Sequence, residues 1–158
     1  MESIRFDDID TLKSKITEEF GPFGPEIHVT QERINQFADV TGDHQWIHID
    51  VERCKRESPF RQPIAHGFLT LSLVPALRAA PGFQVTGFGN VTNYGGDKLR
   101  FISPVPAGSK LHARARLVAV EAKPKGTQLT TEVNVHVVGS EKPSVIYVAL
   151  TLYHPAMT

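Results

Sequence analysis

The chain has a single cysteine, Cys54, among 158 residues. No disulfide can close within it, and a reducing compartment is the simplest expectation. Charge of one sign is also missing, because 17 Lys and Arg stand against 17 Asp and Glu. Proteins that grip nucleic acid ordinarily carry a surplus of cations against phosphate, so nucleic acid is not expected as the main partner. A local basic patch for a phosphorylated ligand remains compatible with this balance. No apolar run approaches the roughly 18 residues of a membrane-crossing helix. The opening Met1-Glu2-Ser3-Ile4-Arg5-Phe6-Asp7-Asp8 lacks the basic-then-apolar order of a secretory signal. A cytoplasmic protein without membrane association is expected. Internal repeats, low-complexity stretches and dividing linkers are absent as well. With 41% hydrophobic and 22% charged residues, the reading is one soluble domain over residues 1–158 with one core.

What is present falls into two parts. Residues 1–80 read as helices and loops, and residues 83–154 read as strands. A short helix is expected over Asp8–Lys15, a turn-rich break at Gly21-Pro22-Phe23-Gly24-Pro25 and a short strand at Glu26–Val29. Thr30 is a good N-cap for a helix through Val40, with Ile34, Phe37 and Ala38 on its apolar face and Gly42 just past its end. Asp43–Asp50 is expected to be irregular, Val51–Arg56 to form one or two helical turns, and Ser58–Pro63 to be a loop. Gly67–Leu77 is apolar around nearly its whole circumference, the mark of a buried helix. Pro75 kinks or ends it. Further on, Leu111, Ala113, Ala115 and Leu117 alternate with His112, Arg114 and Arg116, as in a strand. Leu129–Val138 and Val145–Tyr153 are also strands, joined through turns at Lys123–Gly126 and Gly139–Pro143. A buried helix followed by antiparallel strands suggests an α+β protein whose sheet curls around that helix.

Three segments have the residue types for chemistry. Gly42-Asp43-His44-Gln45-Trp46-Ile47-His48-Ile49-Asp50 is dense in Asp and His. An Asp and a His side by side can share acid and base work, because their ordinary pKa values bracket a useful range. On local pattern alone the plain alternative stands beside this: Asp43 caps the next turn and His48 is an ordinary half-buried side chain. The spacing of His44 and His48 also matches a zinc-protease helix, but Gln45 stands where that chemistry needs a glutamate, and an amide cannot accept a proton. No metal is expected. Ile64-Ala65-His66-Gly67-Phe68 opens the buried helix, where free backbone N–H groups attract negative charge and Gly67 allows close approach. Such a place suits a thioester oxygen; equally, Gly67 relieves crowding as the chain enters the core. Asn93–Phe101 contains Gly95 and Gly96, which suggest a bulge, and places Lys98 and Arg100 on one face. Those cations suit cofactor phosphates, although a solvated face is their commoner fate.

Taken together and in order, three blocks resemble the MaoC-like dehydratase family, which includes (R)-specific enoyl-CoA hydratases and nodulation protein N-like proteins. They are Phe37–Asp43 with His48 five residues on, Ile64–Phe68, and Lys98–Gly108. The resemblance runs from about Thr30 to Tyr153. It implies a hot-dog fold, an antiparallel sheet wrapped around a central buried helix, and a homodimer with active sites near the subunit interface. It makes Asp43 and His48 the catalytic pair and gives the Gly67 backbone N–H to the thioester oxygen. Gln45, Trp46, His66 and Asn93 are expected to bind substrate, and Lys98 and Arg100 to meet coenzyme A phosphates.

The implied reaction is reversible hydration of trans-2-enoyl thioesters to (R)-3-hydroxyacyl thioesters. The implied partner is an acyl-CoA or acyl-carrier-protein thioester, with coenzyme A as part of the substrate and no separate cofactor. One departure stands out. The hydratase motif has Asn-Pro where Gln45 and Trp46 stand, a form that the nodulation protein N-like branch shares. Trp46 is therefore expected to pack beside the pair, help fix it and wall the acyl pocket. Two other classes stay open on the residues: a non-catalytic acyl-thioester-binding module, and a hot-dog thioesterase.

Overall fold

The computed structural model describes residues 1–157. From the amino terminus the elements are β1 (Glu2–Arg5), α1 (Ile9–Lys13), β2 (Ile27–His28), α2 (Gln31–Thr41), α3 (Trp46–Ile49), α4 (Val51–Glu57), α5 (Gly67–Ser72), α6 (Val74–Leu77), β3 (Phe83–Thr86), β4 (Asn90–Phe101), β5 (Lys110–Lys123), β6 (Gly126–Val137) and β7 (Val145–His154). The main sheet is antiparallel, in the order β2-β5-β6-β7-β4.

Side-chain alternation on β5 decides which face of this sheet is inside. Leu111, Ala113, Ala115 and Leu117 have no solvent exposure, because successive residues of a strand point to opposite faces. Leu111, Ala113 and Ala115 join Val133 and Val135 of β6 and Val145 of β7 in one core with Leu69 of α5 and Leu77 of α6. The alanines opposite the helical segment leave room for those leucines. On the other face, Arg116 pairs with Glu132 across β5 and β6.

Local signals place α2. The Thr30 hydroxyl accepts from the Arg33 N–H at 3.1 Å. At the other end Gly42 takes the left-handed conformation, φ 77°, which an L side chain resists.

Three features depart from expectation. The amino-terminal half is not only helices and loops: β1 pairs in parallel with β3, Ile4 opposite Val85. This partner lies about eighty residues along the chain, where periodicity says nothing. Second, the segment Gly67–Leu77 is two short helices with Leu73 between them. Pro75 sits in the first turn of α6, where its missing N–H is harmless. The segment is also buried on one side only. Leu69 and Leu77 are inside, whereas Phe68 is 62% exposed and Leu71, Leu73 and Val74 are half-buried. Finally, the stretch Asp43–Asp50 includes a helical turn, α3.

Candidate active site

Asp43 follows the left-handed turn at Gly42. Its Oδ1 accepts from the Gln45 N–H at 3.3 Å. The chain then winds into α3, which carries His48 inward. The His48 carbonyl accepts from Gln31 Nε2 on α2 at 2.7 Å, tying the turn to that helix. The ring itself is buried, and its Nδ1–H donates to the Ile64 carbonyl at 2.6 Å. A carbonyl can only accept, so Nδ1 holds the proton and Nε2 is the lone-pair nitrogen. Burial is the largest influence on this ring and pushes its pKa down. The Ile64 bond and the Asp43 charge oppose that shift, and the His66 charge reinforces it. His48 is therefore held neutral near pH 7, the state a proton acceptor needs.

His66 immediately precedes α5. Its Nε2–H donates to the Asp43 main-chain carbonyl at 2.9 Å, and its ring stacks on His48 with centroids 3.9 Å apart and planes 29° from parallel. One donor atom from each of Asp43, His48 and His66 lies within 4.8 Å of the other two. Gly67 is the first residue of α5, where no turn precedes it to accept its N–H.

Two cavities meet at this cluster. One, of about 280 Å³, is lined by Asp43, His48, His66 and Gly67 with Phe37 and Phe68. The other, of about 300 Å³, shares His48 and Gly67 and continues along Phe60, Thr70, Phe101 and Ser144. His48 and Gly67 line both cavities.

The remaining candidates stand apart. Gln45 is exposed and its side chain makes no cap bond on α3. Trp46 lies on the wall of neither cavity; it packs under the Arg53 guanidinium, 4.3 Å from the ring centroid. The reason is helical geometry. Residues two apart in a helix project about 200° apart, so a turn that buries His48 sends Trp46 to the other side. Asn93, Lys98 and Arg100 are exposed on β4, away from both cavity walls. His44 turns outward to Asp39, 2.9 Å from its Oδ1, so it does not converge with His48 as a zinc-protease pair does. Phe60, Thr70 and Ser144 line the larger cavity without any signal in the sequence. They come from a loop, a buried helical turn and the entry to β7, and no local pattern links them.

A MaoC-like domain matches residues 14–139. The chain belongs to the MaoC-like dehydratase family. It is 46% identical over 128 residues to the 3-hydroxyacyl-thioester dehydratase Z of Mycobacterium tuberculosis, covering 80% of this chain and 83% of that one. Over 160 residues it is 37% identical to nodulation protein N of Rhizobium meliloti, covering 98% and 96%. Among solved structures, an unliganded (R)-hydratase of Pseudomonas aeruginosa aligns with TM-score 0.58 and 26% identity, over 87% of this chain and 83% of that one. A protein from Archaeoglobus described as a monoamine oxidase regulatory protein aligns with TM-score 0.71 and 22% identity, over 99% and 100%. The second likeness carries the fold alone. The sheet curled over α5 and α6 is the hot-dog fold of the MaoC-like hydratases.

Proposed function

We propose that this MaoC-like chain hydrates trans-2-enoyl thioesters reversibly to (R)-3-hydroxyacyl thioesters, with Asp43 and His48 sharing the reacting water. The observation that carries the assignment of roles is the bond from His48 Nδ1–H to Ile64. It leaves Nε2 as a neutral proton acceptor in a cavity shared with Asp43 and Gly67. Water bound between the pair loses a proton as its oxygen adds to C3. The displaced electron pair moves through C2 onto the thioester oxygen. There the Gly67 N–H stabilises the enolate. The pair then returns the proton to C2, so one water is added in all.

The substrate is an acyl thioester of coenzyme A or of an acyl carrier protein, and the reaction needs no cofactor beyond it. Lys98 and Arg100 form no ion pair among the described residues and are available to phosphate. Gln45, Trp46 and Asn93 reach substrate only if a second subunit completes the site. A homodimer fits the fold: β4 is an edge strand twelve residues long, with Tyr94 65% and Phe101 47% exposed. Such an edge invites pairing. Among the described residues no helix is long and apolar enough to cross a membrane, and we place the protein in the cytoplasm.

The experiment is to mix the purified protein with crotonyl-CoA and longer enoyl-CoA chains, following enoyl absorbance and free thiol together. Loss of absorbance without thiol is expected. Thiol release would assign a thioesterase, and binding without either change would assign a non-catalytic module.

A further inference from the structure

Asp43 sits on an exposed loop, yet the reaction needs its carboxylate in one place. Its local bonds are long and come from within two residues: its N–H donates to Thr41 Oγ1 at 3.4 Å, and its Oδ1 accepts from the Gln45 N–H at 3.3 Å. The one hydrogen bond reaching Asp43 from elsewhere in the fold, among the described residues, comes from His66 Nε2–H at 2.9 Å, across 23 residues. The same ring stacks on His48 at 3.9 Å and meets Phe37 of α2 at 5.0 Å. His66 therefore touches both members of the pair, one through an N–H and the other through a ring face.

Its nitrogens are not offered to a ligand. Nε2 is committed to the Asp43 carbonyl, and Nδ1 is buried with no hydrogen-bond partner. A carbonyl accepts only, so Nε2 carries the proton and Nδ1 is an unpaired acceptor. Leaving such an atom buried lowers stability, and an apolar ring would avoid that cost. Packing alone does not account for a histidine here; the N–H does.

We propose that His66 is a positioning residue that holds Asp43 through its main-chain carbonyl and His48 through ring stacking, so that the pair keeps one geometry while the loop stays exposed. The kinetic part of this inference rests on the hydratase reading; the structural part does not.

Two variants separate the ring from its N–H. His66→Phe keeps the stack and removes the donor, whereas His66→Gln keeps a donor and removes the ring. His66→Phe should lower kcat about tenfold or more, since small misplacements of a catalytic group carry such penalties. Its KM should stay within about threefold, as for a residue that does not bind substrate. His66→Gln should recover part of that loss, because it returns the donor without the ring that stacks on His48. In an Asp43→Asn background His66→Phe should cost less than about twofold further, because its effect passes through Asp43. Without substrate, amide exchange at His44 and Gln45 should quicken about tenfold in His66→Phe and little in His66→Gln, reporting the loosened loop. In the unaltered protein, nitrogen NMR should find His66 as the Nε2–H tautomer.

An Nδ1–H tautomer overturns the proposal. So does a His66→Phe variant with normal kcat and normal exchange, a rise in KM alone, a full multiplicative loss in the Asp43→Asn background, or a His66→Gln variant as poor as His66→Phe. If the unaltered protein turns over no enoyl thioester, the hydratase reading falls, and the tautomer and exchange measurements decide the positioning role by themselves. If His66→Phe does not fold, the tautomer of the unaltered protein decides it.

Discussion

A Cβ on Gly67 would stand 2.8 Å from the Phe101 ring. The position that opens α5 is thus crowded by a residue at the end of β4, quite apart from any ligand. Phe101 is 47% exposed, so its ring has room to swing away. Gly67→Ala should then cost little stability, under about 1 kcal/mol, but should move a wall of the cavity that runs past His48. We expect kcat/KM to fall about tenfold, on the scale of a misplaced substrate. Adding Phe101→Leu should restore part of it. If the second change restores nothing, Gly67 matters for close backbone approach alone.

Asp43→Asn and His48→Gln should each lower turnover by at least about a hundredfold. The double variant should be little worse than the poorer single, because both act on one water. In the unaltered protein kcat/KM should fall on the acid side, since protonation of His48 fills Nε2. Burial holds that pKa below its ordinary value, so the fall should begin under about pH 6.5. Near-normal turnover in either single variant would sink the assignment.

Stability should fall on the same side. His112 and His136 lie on the opposite face of the sheet from α5, with Phe23 stacked on His112 at 3.7 Å. Burial, first, and Arg114 push both pKa values down, while Glu26 and Ser140 oppose this at His112 and His136 respectively. With His48, that makes three rings whose folded pKa lies below the unfolded one. Above about pH 6.5 these rings are neutral in both states. Below it the unfolded chain takes up protons that the folded chain resists, so unfolding is favoured until the folded values are passed. Tm should drop between pH 7 and about pH 5, and drop less in His112→Phe. A Tm that rises over that interval contradicts the account.

Trp46 is the only tryptophan and packs under Arg53 rather than on a cavity wall. Its emission should change little when enoyl-CoA binds to a single subunit's cavities. Trp46→Phe should keep turnover within about twofold, and Trp46→Ala should lose about 1 kcal/mol of stability from the lost cation–π contact and packing. A large emission change, together with altered chain-length preference in Trp46→Ala, would instead place the indole against substrate, supplied across a subunit interface.

Treatment with a chelator should leave turnover unchanged, although Asp43, His48 and His66 lie within coordinating reach of one another. His48 Nδ1 and His66 Nε2 are already committed to backbone carbonyls, and the reaction proposed uses the pair's free sites for water. Stoichiometric zinc in the purified protein, with activity lost on chelation and restored by zinc, would overturn this.

Much of the molecule is legible in local sequence pattern. Thr30 and Gly42 bracket α2 as cap chemistry dictates, and the alternation Leu111, Ala113, Ala115, Leu117 names the inward face of β5. Asp43, His48 and Gly67 are marked by the resemblance to MaoC-like dehydratases, and the fold brings all three to the wall of one cavity. Caps and alternation act over a few residues, so they survive in the sequence as local pattern. What only the tertiary structure decided are the relations between distant positions. These are the parallel pairing of Ile4 with Val85, the outward turn of Trp46 against the inward turn of His48, the Phe101 ring beside Gly67, and the His66 bond to Asp43. Each depends on the path the chain takes between the partners, and hydrogen bonds and packing contacts of that range leave no period in the sequence to read.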